Sequence, residues 1–263
     1  MKLKRNSSRF DPSNYEKIAY RNLGGSLVSE RELSDIVRFS EVGPGSFILD
    51  VGMGPGRVLR RLASINTTLV GIDADAKMVR HFAHQRRTGT AALDIDNAHV
   101  IVASGDYLPF REDVFGAIVC VRVLRYFDEP AKAISEMSRT LRLKGRLVLE
   151  LANVFRPQSI LQLPGYAVRG SVYPRLFTRR AAFKWLSENG IFLEGLHGWH
   201  RIPVEVMNAV NGPILARTLN CLDQLLDRIL PPEFMSRSLV ISGVKISDRL
   251  NESSAIRHAS STA

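Results

Sequence analysis

Apolar residues fall into two rhythms that alternate along the chain. Apolar runs of strand length occur at Phe47-Ile48-Leu49, ending at Asp50, at Leu69-Val70-Gly71-Ile72, ending at Asp73, at Val100-Ile101-Val102-Ala103 and at Phe115-Gly116-Ala117-Ile118-Val119-Cys120-Val121. Between and after them, apolar positions recur at helical spacing: Val58, Leu59, Leu62 and Ile65; Ala76, Met78, Val79, Phe82 and Ala83; Ala133, Ile134, Met137 and Leu141. The runs read as buried strands and the spaced positions as amphipathic helices, so this part of the chain predicts an α/β sheet. Further strands are expected at Arg146 to Leu151, Ile191 to Leu196 and Ser238 to Val244.

Around this core the pattern is less regular. Tyr15 to Phe39 predicts two short helices broken at Gly24-Gly25. A helix capped by Thr178 stops at Asn189-Gly190. Asn153 to Phe177 carries Pro157, Pro164, Gly165, Gly170 and Pro174 without a period, and a loop that long is expected to be a lid. Trp199 to Met235 is an insertion whose helix bears Ile214, Leu215, Leu219, Leu222, Leu225, Leu226, Ile229 and Leu230. That stripe is expected to pack on the domain; roofing an acceptor pocket, a dimer face and a membrane surface are its other readings. Residues 1–12 are expected to be flexible and 247–263 a disordered tail, leaving one domain over 13–246.

The chemistry is concentrated after the first strand, in Asp50-Val51-Gly52-Met53-Gly54-Pro55-Gly56, where a helix begins at once. Gly52, Gly54 and Gly56 permit positive φ and remove the Cβ atoms that would hold a ligand away from main chain. About 20 residues on, Asp73 ends the second strand, the position from which a carboxylate accepts ribose hydroxyls in nucleoside-binding βαβ units. Dinucleotide binders use Gly-x-Gly-x-x-Gly with pyrophosphate on the helix N-terminus. This loop is Gly-x-Gly-x-Gly, and Arg57 stands where the later glycine would be.

With the Gly71-Ile72-Asp73-Ala74-Asp75 strand end, Ser104-Gly105-Asp106-Tyr107-Leu108-Pro109-Phe110 and Leu141 to Leu149, the chain resembles the class I S-adenosylmethionine-dependent methyltransferases of the small-molecule branch over residues 45–152. The resemblance implies a Rossmann-like, seven-stranded, mostly parallel sheet flanked by helices. An N-terminal helical segment and a helical insertion before the last strand are expected to add to it. It implies S-adenosyl-L-methionine as cofactor, held by Asp50, Gly52, Gly54, Gly56, Asp73, Ala74, Asp106, Tyr107 and Val121. Asp106 would accept from the adenine amino group while backbone at Tyr107 meets the ring edge. Residues 13–40, 153–177 and 199–236 would form lid and substrate elements, with Tyr15, Tyr20 and Arg21 lining the pocket. Two positions depart from the family's pattern: Gly116 stands where aspartate is common, and Arg125-Tyr126 replace a histidine pair.

Methyl transfer is a single displacement, and a base is needed only for a protonated acceptor. His197, His200, Tyr126 and Glu150 are candidates for it, while Arg122 and Arg125 are candidates for holding an anion. The acceptor is expected to be a small or lipid-like molecule methylated on oxygen. RNA- or protein-directed methylation and a non-catalytic cofactor-binding module are the rivals. Val121-Arg122-Val123-Leu124 lacks the Asn/Asp-Pro-Pro-aromatic segment of base-modifying enzymes, so nucleic acid is not favoured despite a net charge of +10. The arginines are dispersed and expected to be solvated. Cys120 and Cys221 are expected as core fillers, His81 and His84 as exposed, and no metal site is expected. No run reaches the ~18 apolar residues of a membrane span. The basic start lacks a signal's apolar region, so a cytoplasmic location is expected.

Overall fold

A computed structural model of the chain describes residues 11–63, 67–89, 97–155 and 176–247. Helices α1 (Pro12–Ala19) and α2 (Asn22–Ser40) precede the sheet. Then follow β1 (Phe47–Val51), α3 (Arg57–Leu62), β2 (Thr68–Asp73), α4 (Ala76–Arg87), β3 (Ala98–Val102), β4 (Phe115–Cys120), α5 (Pro130–Thr140) and β5 (Leu141–Ala152). The remaining elements are α6 (Arg179–Glu188), β6 (Ile191–Trp199), α7 (Val204–Ala209), α8 (Pro213–Ile229) and β7 (Ser238–Lys245).

The seven strands lie in the order β3-β2-β1-β4-β5-β7-β6. Strands β1 to β5 pair in parallel, and β7 runs antiparallel to both β5 and β6. Successive strand residues face opposite sides, so Leu49 packs with Ile134 and Met137 of α5 while Ile48 packs with Ile36 of α2 and Leu59 of α3. The chain leaves β1 toward β2 on one side, and β4 lies on the other. Outside the carboxyl ends of those strands is the crevice where ligands bind in such sheets.

Four expectations are corrected. Helix α2 runs unbroken through Gly24-Gly25, and the break falls at Tyr20-Arg21. The glycines serve close packing: a Cβ on Gly24 would collide with the Met207 carbonyl of α7, and one on Gly25 with the Asn208 side chain. The strand expected from Arg146 begins earlier, at Leu141, and takes up an irregularity with Lys144 at φ 63° and a register shift against β4.

The apolar stripe of α8 largely faces outward, with Ile214 83% and Ile229 65% exposed and Leu215, Leu222 and Leu225 exposed beside them. Cys221 is exposed on the same helix, so only Cys120 is buried. What α8 turns inward is Ala216 and Asp223. Arg31 pairs with Asp223 at 2.8 Å, and Asp227 pairs with Arg31 and Arg201. The helix is thus docked chiefly by its acids, and of its leucines Leu219 packs on Val28, Val204 and Met207. No helix among the described residues is long and apolar enough to cross a membrane.

Candidate functional site

The loop after β1 is fastened to the neighbouring strand by main chain: Gly52 and Met53 both donate to the Ile72 carbonyl, at 2.8 and 2.9 Å. Gly52 and Gly56 sit at positive φ with no room for a side chain, pressed on Val123 and Phe82. Gly54 differs. Its φ is +55°, and a Cβ there would meet nothing within 4 Å, so the apex of the loop borders open space. Its N–H donates to Asp73 Oδ2 at 2.9 Å, and the other oxygen of Asp73 accepts from Asp75 N at 2.8 Å. Burial pushes the Asp73 carboxyl up while these two amides pull it down. A carboxylate has about four acceptor positions, so Asp73 retains capacity beside the open apex.

Asp50 lies beneath this loop, 2% exposed. Its Oδ2 is buried without a partner. Burial first, and the charge of Asp73 second, push it up to about 7. On the other flank, Ala103 N donates to the Asp73 carbonyl at 3.1 Å. Gly105 is seated against Val51 and Phe127, so the Ser104–Tyr107 turn stands next to the end of β1. Asp106 is half-buried and accepts from Ser104 Oγ. The Tyr107 ring is exposed with Lys132 Nζ 3.4 Å from its centroid. Ala74 is exposed and Val121 is buried at the end of β4.

These residues fit an adenosine-bearing ligand. Hydroxyl donors would meet Asp73, an amino donor Asp106, and the loop apex leaves volume for the ligand's chain. Asp50 is too deeply covered to reach a ligand directly, and its orphaned oxygen sits under the loop that would cradle one.

The opposite wall is built from charge. Glu32 of α2 is 1% exposed and accepts from Arg122 at 2.6 Å, Arg57 at 2.9 Å and Tyr20 Oη, with His200 Nε2 at 3.0 Å. Burial raises the Glu32 carboxyl, but the two guanidiniums outweigh it and hold the group well below the usual carboxylate range. Glu150 accepts from Arg125 at 2.7 and 3.0 Å and from Arg122 N at 2.9 Å, and it too is lowered despite burial. Arg122 takes φ 64°, an uncommon conformation for a residue with a side chain. His200 is also held at positive φ, with Asp223 Oδ2 3.6 Å from its Nδ1.

This arrangement rearranges the expected roles. Arg122 and Arg125 are neutralised by Glu32 and Glu150 and are not free to hold an anion. His200 is enclosed between two carboxylates. Glu150 is low-lying and paired, so neither of these two is a base open to an acceptor. His197 is stacked on Phe39 at 4.4 Å, beside the last turn of α2, and burial lowers its ring below the ordinary histidine value. Tyr126 is 51% exposed near the mouth and its hydroxyl is raised by burial. The arginines expected on the surface are in part buried structural cations.

Glu32, Arg57 and Tyr20 were not expected in a charge cluster. One signal was present: Glu32 stands on the same helical face as Gly25, Val28 and Ile36, all buried. A carboxylate on an apolar face calls for buried partners. The lid expected over Asn153 to Phe177 lies outside the described residues except at its ends, which are held together by Phe177 N on the Ala152 carbonyl at 2.8 Å. The N-terminal residues 1–10 and the tail from 248 lie outside them too. No group of metal ligands occurs among the described residues.

Residues 49–149 match a family model described as a methyltransferase domain. The chain is 28% identical over 118 residues to the ubiquinone/menaquinone biosynthesis C-methyltransferase of Wigglesworthia glossinidia brevipalpis, covering 43% of this chain and 46% of that one. It is 33% identical over 112 residues to a probable human tRNA methyltransferase 9B, covering 41% and 22%. The matches thus span less than half the length of these relatives. By structure it is similar to geranyl diphosphate C-methyltransferase from Streptomyces coelicolor, solved with Mg2+, geranyl diphosphate and S-adenosyl-L-homocysteine. There the TM-score is 0.63 at 16% identity, covering 89% of this chain and 82% of that one. The Bacillus subtilis YcgJ protein gives a TM-score of 0.57 at 17% identity, covering 83% and 99%.

Proposed function

We propose that this chain, whose residues 49–149 match a methyltransferase domain, is a class I S-adenosylmethionine-dependent enzyme that methylates an oxygen of a small-molecule or lipid-like acceptor. The observation that carries this reading is Gly54: its N–H is fixed to Asp73 while the space beside its Cα is open. Asp73 would hold the ribose hydroxyls, Asp106 and the Tyr107 backbone the adenine, and the Gly52–Gly56 loop the methionine portion. When bound, the cofactor supplies an electrophilic methyl group.

The chain's own residues then act by placement. The Glu32 cluster fixes Arg57 directly after the loop and Arg122 directly after β4, which holds two edges of the cleft at one spacing. A fixed cleft contributes through orientation and exclusion of water. Because His200 is buried against Glu32 and Glu150 is paired with Arg125, the acceptor best suited to this site arrives already nucleophilic. A carboxylate or a readily ionised hydroxyl meets that requirement.

The similar proteins are named for diverse roles, in ubiquinone/menaquinone biosynthesis, on tRNA and on geranyl diphosphate, so the acceptor class rests on this cleft alone. Calorimetric titration with S-adenosylhomocysteine tests the cofactor reading. Asp73→Ala is expected to weaken affinity by about 10- to 100-fold, the worth of hydrogen bonds to a charged group. Unchanged affinity would reject the assigned pocket. Salt-sensitive binding of RNA tighter than that of any small acceptor would favour the RNA-directed alternative.

A further inference from the structure

Arg237 immediately precedes β7, at the same edge of the sheet as the ends of β4 and β5. Its main chain is tied into that edge: Arg237 N donates to the Trp199 and His200 carbonyls at 2.9 and 3.0 Å, and its carbonyl accepts from Asn153 N at 3.3 Å. Its side chain lines a cavity of about 410 Å³ together with Ala19 and Arg21 from the α1–α2 junction and Val204, Glu205 and Asn208 of α7. Nη1 is buried and meets no acceptor among the described residues.

The other buried arginines of this region have carboxylates of their own, Arg122 on Glu32 and Arg125 on Glu150. Arg237 feels Glu32, Glu150 and Glu205 only at a distance, and burial together with the Arg122 charge pulls it below the ordinary arginine value. It remains cationic all the same, because a guanidinium does not lose its proton in proteins. Of the cavity's charged residues, Arg21 and Arg237 outweigh the single carboxylate of Glu205. Asn208 is spent on structure, accepting from Arg21 N at 2.9 Å and donating to the Ala19 carbonyl at 3.1 Å.

A half-buried guanidinium with no carboxylate hydrogen-bonded to it is left under-compensated, and its planar fork suits two oxygens of one anion. We propose that Arg237, with Arg21 across the cavity, receives a carboxylate or phosphate carried by the methyl acceptor. This inference rests on the methyltransferase reading and sharpens it, since it makes the acceptor an anion and sets which end of it faces away from the cofactor loop.

The test is thermal unfolding and calorimetry of the full chain with inorganic phosphate or acetate against chloride at equal ionic strength, with S-adenosylhomocysteine affinity measured on the same samples. Phosphate or acetate should raise the wild-type midpoint beyond chloride, and whichever does so identifies the anion class. Arg237→Gln should fold at least as stably as wild type in chloride, bind that anion about 10-fold or more weakly, and keep its S-adenosylhomocysteine affinity. Arg237→Lys should retain part of the response.

Three results would overturn the proposal: an Arg237→Gln that is unstable in chloride, since the residue would then have a structural partner; an undiminished anion response in that variant; or no response beyond chloride in wild type. Lost S-adenosylhomocysteine affinity in Arg237→Gln would assign the anion to the cofactor's own carboxylate instead and so also count against it. Failure of wild type to bind S-adenosylhomocysteine would refute the methyltransferase reading, and leave the anion response to be judged separately.

Discussion

At Gly54 one half-buried carboxylate is shared between two backbone amides, and open space begins where a side chain would stand. At Glu32, on the facing wall, one fully buried carboxylate is met by Arg57, Arg122, Tyr20 and His200. Both sites use an acid at the carboxyl edge of the sheet, with opposite consequences. Asp73 keeps lone pairs and volume for a ligand, whereas Glu32 has spent its own on the protein. Substitutions on the loop side should therefore act on binding, and those on the far wall on stability.

The largest expected effect is that of Glu32→Ala. It leaves two buried guanidiniums without their counter-charge, and breaking such a pair costs about 3–5 kcal/mol. For a chain of this size that lowers the thermal midpoint by roughly 10 °C or more, measurable by calorimetry; a drop under about 2 °C would erase the contrast between the walls.

Asp50 gives the next effect, and it depends on pH. Its folded-state value, about 7, lies above its ordinary 3.8, so between these limits the folded chain binds more protons than the unfolded one. Its contribution is fully present below about pH 4 and is lost as pH rises to about 7. Asp50→Asn removes that dependence. Its stability relative to wild type should climb by up to roughly 1.4 kcal/mol per pH unit over that window, read from urea unfolding at several pH values. A flat difference would mean that Asp50 is already ionised beneath the loop.

On the loop side, Gly54→Ala should cost about 1–2 kcal/mol of stability for a side chain at positive φ. Its loss of S-adenosylhomocysteine affinity should be larger than that cost, because the methyl group enters the open apex. Equal losses would place the ligand elsewhere. The smallest effect is expected of Tyr126→Phe. If the acceptor needs no base, turnover should stay within about twofold, and a fall of 10²-fold or more would restore a proton-transfer role for this hydroxyl.

The loop side was legible in the chain because its parts are local. Strand, glycines and Asp73 follow within one βαβ unit, and the β1-β2 register carries the rest. The far wall was not, since its partners are distant in sequence: Arg31 meets Asp223 across 192 residues and Glu32 meets His200 across 168. Dispersed arginines look solvated until the fold brings their acids to them. Helix α8 misled for a related reason. Its leucines suggested the buried face, yet Asp223 and Asp227 face the domain, where Arg31 and Arg201 await them. Likewise Gly24-Gly25 read as a helix break because nothing nearby in sequence announces the Met207 carbonyl lying against it.

The central claim is that the open apex at Gly54 and the carboxylates of Asp73 and Asp106 enclose an adenosine-bearing methyl donor. A crystal structure of the chain with S-adenosylhomocysteine tests it most directly. The ribose hydroxyls should lie within hydrogen-bond distance of Asp73, with the adenine between Asp106 and the Tyr107 backbone. Density for the ligand away from this loop, or a bound ribose that leaves Asp73 untouched, would contradict it.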